Sequence, residues 1–116
     1  MVEFQRKDFY SYEDFLEIMR LLRAPGGCPW DREQTHSSIR RNFLEETYEV
    51  LDAIDHDDAS GMCEELGDVL WYVTLMAELM NVPLEYIMQA NIEKLERRYP
   101  DGFSPAASVN REENNE

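Results

Sequence analysis

The sequence predicts an all-α fold, a bundle of four helices. Three observations carry this. Strand signals are nearly absent. Four stretches place apolar residues three and four apart, which is the helical spacing. The prolines fall between these stretches or at their ends. At 116 residues the chain is one domain by length, and many helical proteins of this size close their cores by dimerising.

The first helix is expected from about Tyr12 to Arg23, with Phe15, Ile18, Met19 and Leu22 on one face and Ser11 as its cap. A loop follows from Ala24 to Gln34, stiffened by Pro25-Gly26-Gly27-Cys28-Pro29 ahead of Trp30 and Asp31. The second helix runs from about Thr35 to Ile54 with the stripe Ile39, Phe43, Val50 and Ile54, and Asp31 and Gln34 offer it a start resembling a capping box. Asp55 to Ser60 reads as a short polar connection. The third helix, about Gly61 to Met80, is apolar nearly all round and should be the most buried. Pro83 can open the fourth at its first turn, and Pro100 and Gly102 stop it after Arg98. Residues 1–103 form the expected domain, and the small, polar stretch from Ser104 to Glu116 is expected to be a disordered tail.

Net charge is −14, from 25 acids against 11 Lys and Arg, which disfavours a nucleic-acid surface because phosphate contacts need a basic patch. No apolar run approaches a membrane span, and the first residues lack the apolar centre of a signal peptide. Cys28 and Cys63 form no disulfide or zinc pattern and read as reduced thiols of a cytoplasmic protein. Neither His36 nor His56 is placed by a motif as the base of a catalytic cysteine.

Most of the 25 acids read as solvated surface, but four do not. Glu46 and Glu49 are three apart on the second helix, and Glu65 and Asp68 three apart on the third, so each pair shares a face. At roughly 100° per residue, Glu65 points the same way as Met62, Val69, Tyr72 and Met76. Asp68 falls at the edge of that stripe, and Glu46 borders the stripe of the second helix. A carboxylate aimed at a core is costly unless it is paired or binds a metal. Glu45 has Arg41 four residues earlier as a partner, whereas none of the four has a cation three or four residues away on its own helix. The alternatives are pairing with a base elsewhere or a divalent-cation site. Magnesium suits the latter, since it takes a few carboxylates and keeps positions for water and phosphate oxygens, and manganese is a substitute. Glu78, by contrast, reads as an ordinary exposed acid.

On the fourth helix Ile87, Met88, Leu95 and Tyr99 share an apolar face with Asn91 and Arg98, and Lys94 flanks it. These cations either neutralise the acids directly or bind phosphate oxygens, Arg through a bidentate fork and Lys as a point charge. Arg97 points away and can pair with Glu93. Trp30 is either a core plug or a cover for a bound base.

The chain resembles the MazG nucleoside triphosphate pyrophosphohydrolases of the all-α NTP pyrophosphatase superfamily, over roughly Ile18 to Phe103. The resemblance rests on Leu22-Arg23-Ala24-Pro25-Gly26-Gly27-Cys28-Pro29-Trp30-Asp31, on Leu44-Glu45-Glu46-Thr47-Tyr48-Glu49-Val50, on Glu64-Glu65-Leu66-Gly67-Asp68 and on Lys94-Leu95-Glu96-Arg97-Arg98. It implies a magnesium site at Glu46, Glu49, Glu65 and Asp68, with Glu45 and Glu64 as accessories. It implies phosphate contacts from Lys94 and Arg98, and a homodimer or dimer of dimers. The expected reaction is hydrolysis of a nucleoside triphosphate to the monophosphate and pyrophosphate, with Glu46 or Glu49 as base, as house-cleaning of the nucleotide pool. Asn91 and Trp30 are the candidate contacts to the nucleotide's remainder. Arg97-Arg98-Tyr99-Pro100-Asp101-Gly102-Phe103 lacks histidines common in the family there, and Val69-Leu70-Trp71-Tyr72-Val73 is more aromatic than is common, so the preferred base stays open. Two rivals remain: a phosphoribosyl-ATP pyrophosphatase from the same superfamily, and a non-catalytic module that binds nucleotides for regulation.

Overall fold

A computed structural model describes residues 4–102 and 105. These residues form five helices and no strand: α1 (Tyr12–Arg23), α2 (Pro29–Glu33), α3 (His36–Asp55), α4 (Ala59–Leu79) and α5 (Leu84–Arg98). The four long helices stand where the spacing places them. The short α2 is an addition inside the expected loop. Pro29 opens it at a position whose missing N–H would have had no helical partner. Gln34 Nε2 closes it by donating to the Trp30 carbonyl at 2.7 Å. Except for residue 105, the polar tail expected from 104 onward lies outside the described residues.

Local chemistry explains the helix ends. Ser11 and Asp14 cap α1 reciprocally: Asp14 N donates to Ser11 Oγ at 3.1 Å, and Ser11 N donates to Asp14 Oδ2 at 2.9 Å. The chain then doubles back so closely that Cys28 N donates to Leu22 O at 2.7 Å. A Cβ at Gly27 would collide with the carbonyl oxygens of Leu21 and Leu22, and Gly26 takes a φ of 88°. The cap of α3 is a correction to the sequence reading. Thr35 and Ser38 exchange the two capping hydrogen bonds, at 2.8 and 3.2 Å, and Gln34 assists by accepting from Ser38 Oγ. Asp31 takes no part; its carbonyl accepts from Arg23 Nε instead.

After Leu79 the chain divides into two compact units. In the first, Met19 of α1, Ile39 of α3, and Tyr72 and Leu75 of α4 form the buried core. Phe15, Phe43, Trp71, Met76 and Leu79 pack against it, and the Phe15 and Trp71 rings meet edge to face at 5.5 Å. Fully burying such a side chain is worth about 1.5–3 kcal/mol. As expected, α4 is the most buried helix, contributing Tyr72, Thr74, Leu75 and Ala77. On α3 the stripe shifts at its end: Ile54 is 50% exposed, and Ala53 is buried in its place. Fourteen residues from Ile39 return closer to the same face than fifteen do at 3.6 residues per turn.

In the second unit α5 buries no residue. Pro83 is its N-cap, one position before the expected first turn. Leu84, Ile87, Lys94 and Arg98 are partly covered, while Met88, Asn91 and Leu95 are exposed. Glu93 accepts from Gln89 Nε2 at 3.4 Å, and the expected pair with Arg97 does not form. Among the described residues, no helix is long and apolar enough to cross a membrane.

Candidate metal centre

The connection between α3 and α4 is only three residues long, so the helices run antiparallel as a tight pair. Asp57 takes a φ of 51°, and Asp58 N donates back to Ala53 O at 2.9 Å. Asp58 Oδ1 then accepts from Gly61 N at 2.9 Å and starts α4. Pairing in this register sets the turn bearing Glu46 and Glu49 against the turn bearing Glu65. One carboxylate oxygen from each of these three residues lies within 4.8 Å of the other two. It is the one such group found among the described residues.

The surroundings make this arrangement unfavourable on its own. Glu46 Oε2 and Glu65 Oε2 are buried, and no hydrogen-bond donor of the described residues reaches them. The Glu49 and Glu46 carboxylates, by sharing a proton with Glu65, push its carboxyl up to about 8, and burial and their charges add to this. Glu46 is also shifted upward, chiefly by burial, then by the charges of Asp68 and Glu49. Three carboxylates therefore converge around too few protons. A divalent cation with hard oxygen ligands matches that donor set: it would satisfy the orphaned oxygens and replace the shared proton. The residues present fit such an ion.

The other sequence-expected residues fall in different places. Asp68 is exposed and outside the three-acid group, though its charge acts on Glu46. Glu45 pairs with Arg41 at 2.9 Å, as its spacing suggests. Trp30 is 49% exposed on α2, so it is not a core plug. Lys94 and Arg98 are half-buried on α5, and Asn91 is exposed there. Glu78, expected to be exposed, is half-buried and gripped by Arg20.

Sequence reasoning passed over the polar connection. Beside the acids lies a cavity of about 340 Å³ lined by Glu49, Asp52, Ala53, His56, Asp58, Gly61 and Glu65. His56 N donates to Asp52 O at 3.1 Å, and the ring Nδ1 also lies 2.8 Å from that carbonyl. The Asp52 carbonyl, and then its carboxylate, raise the His56 pKa above its ordinary value. One signal was present in the sequence: His56 lies four residues after Asp52, on the same face.

Residues 34–103 match the MazG nucleotide pyrophosphohydrolase domain. The chain belongs to this family. Among curated relatives, it is 44% identical over 103 residues to the nucleoside triphosphate pyrophosphohydrolase of Escherichia coli K12, covering 84% of this chain and 39% of that protein. It is 42% identical over 96 residues to the nucleoside triphosphate pyrophosphohydrolase/pyrophosphatase MazG of Thermotoga maritima, covering 79% and 38%. It is 41% identical over 99 residues to the uncharacterized protein YabN of Bacillus subtilis, covering 82% and 20%. The chain thus spans between 20% and 39% of the length of these three relatives. No solved structure gives a significant match.

Proposed function

We propose that this MazG domain hydrolyses nucleoside triphosphates to the monophosphate and pyrophosphate with magnesium, manganese serving as a substitute. The observation that carries this is the convergence of Glu46, Glu49 and Glu65 on facing turns of α3 and α4, with two buried oxygens that no donor of the described residues reaches. Two relatives named as pyrophosphohydrolases support the choice of reaction. Glu46, Glu49 and Glu65 would hold the cation, with Asp68 as fourth ligand one helical turn from Glu65. When bound, the cation supplies charge to phosphate oxygens and acidifies water.

The chain's own residues do the rest. Glu49 is exposed and lines the cavity, so it can reach a water and take its proton as that water attacks the α-phosphorus. Glu46 is half-buried and does not line the cavity, which suits a ligand better than a base. Lys94 and Arg98 are assigned to the phosphates on the resemblance, and Trp30 and Asn91 to the nucleoside on their chemistry, as a ring that can stack and an amide that can hydrogen-bond. Exposed Leu44, Tyr48 and Leu51 on α3 and Leu66 and Leu70 on α4 support a homodimer. The free thiols Cys28 and Cys63 support a cytoplasmic setting. House-cleaning with broad base use is the purpose in view.

The test is release of pyrophosphate and the matching monophosphate from the eight standard nucleotides, their oxidised and deaminated forms, and phosphoribosyl-ATP, with magnesium present. Turnover by the wild type and its loss in Glu49→Gln are expected. No release from any substrate overturns the proposal. Tight nucleotide binding with equal inertness of both proteins would favour the regulatory module, and turnover confined to phosphoribosyl-ATP would favour that rival. A preference above about a hundredfold for one base overturns broad use, because stacking struggles to supply the roughly 2.7 kcal/mol required.

A further inference from the structure

The cavity beside the acids has a direction. It begins at Glu49 and Glu65 and runs toward the α3–α4 turn, where His56, Asp58 and Gly61 form its far wall. His56 lies seven positions after Glu49, about 10 Å along the helix axis. Among its lining residues His56 is the one able to carry a positive charge; Glu49, Asp52, Asp58 and Glu65 are acids. A polyanion entering such a space needs a cation at each end. The three-acid group supplies a place for one, and the turn carries the other.

We infer that His56 is a phosphate contact, binding the terminal phosphates of the substrate and then the pyrophosphate that is released. This rests on the proposed hydrolysis for its role in turnover. The ring is preset for the task. Its Nδ1 faces the Asp52 carbonyl at 2.8 Å, so Nδ1 is the donor there and Nε2 is left for a ligand. The Asp52 carboxylate, 3.5 Å from Nδ1, favours the charged ring. The turn beneath is fixed by the left-handed Asp57 and by two backbone hydrogen bonds, from Asp57 N to Ile54 O at 3.1 Å and from Asp58 N to Ala53 O at 2.9 Å. Gly61 keeps the wall open: a Cβ there would collide with the Asp58 carboxylate and displace it. The rival explanation is that His56 only stabilises the C-terminal end of α3, where a cation is favoured by the helix dipole.

Calorimetric titration of inorganic pyrophosphate into the full chain with magnesium separates the two. His56→Gln removes the charge, His56→Lys keeps it, and thermal melts run in parallel. The expected result is binding by the wild type, about tenfold weaker binding by His56→Gln, as for loss of one charge-assisted hydrogen bond, and recovery in His56→Lys. Equal affinity in wild type and His56→Gln overturns the inference, whether or not the melt moves, as does absence of pyrophosphate binding by the wild type. His56-dependent binding in a protein that cleaves no nucleotide would sink the proposed hydrolysis and leave this contact standing.

Discussion

Arg20 on α1 grips Glu78 on α4 through both carboxylate oxygens, Nε to Oε2 at 3.1 Å and Nη2 to Oε1 at 3.0 Å. This fork ties the first helix to the most buried one across 58 positions of sequence. The pair is partly exposed, so Glu78→Ala should cost about 0.5–1 kcal/mol. A urea titration of both single variants and the double variant would show it as a coupling energy that shrinks in high salt. Additivity of the two changes would mean the fork contributes nothing in solution.

The acid group sets an unusual pH response. The folded-state pKa of Glu65 is raised from 4.5 to about 8, so the folded chain holds a proton that the unfolded chain releases. The contribution to stability is therefore full below pH 4.5 and lost as pH rises through about 8. The metal-free protein should melt at a higher temperature at pH 5.5 than at pH 9. Glu65→Gln should flatten that difference and raise the melting temperature at pH 9. A parallel decline in both proteins would place the effect elsewhere.

Magnesium should raise the melting temperature by mass action, by about 2.7 kcal/mol of stability at a hundredfold excess over its dissociation constant. Glu49→Ala and Glu65→Ala should each abolish the response. Asp68→Asn should weaken it, given that residue's exposed position one turn away. An undiminished response in Glu65→Ala would remove Glu65 from the site.

Thr74 is fully buried on α4, and its hydroxyl has no hydrogen-bond partner among the described residues. Thr74→Val keeps the shape and removes the unsatisfied group. It should stabilise the protein by about 1 kcal/mol, read as a shifted urea midpoint at constant slope. A loss of stability would mean that the hydroxyl is satisfied in solution.

The helices and the acid group were legible because both depend on periodicity. Glu46 and Glu65 can be aimed from spacing alone, but spacing offers Asp68 as readily, and the structure leaves it outside the three-acid group; the register between α3 and α4 comes from a turn of three residues where the sequence suggests a connection of six. What escaped depends on where backbone meets backbone. Pro29 reads as a breaker until its place at a helix start is known. The cap of α3 goes to Thr35 and Ser38 because two hydroxyls reach the orphan N–H groups before Asp31 can. Ile54 closes the predicted stripe by spacing, yet small Ala53 holds the inward position beside the tight turn. His56 was overlooked because a polar connection carries no periodic signal, although the turn's fixed backbone gives it a defined place.

The homodimer proposed above, formed through the exposed leucines of α3 and α4, would have to assemble against its own charge. Each copy carries a net charge of −14, so two approaching copies repel before any apolar surface touches. The repulsion is screened over about 8 Å at physiological ionic strength, while burial of Leu44, Tyr48, Leu51, Leu66 and Leu70 is insensitive to dilute salt. Self-association should therefore tighten as ionic strength rises, the reverse of an encounter steered by opposite charges. Divalent ions at the acid group would push the same way by neutralising each copy from within.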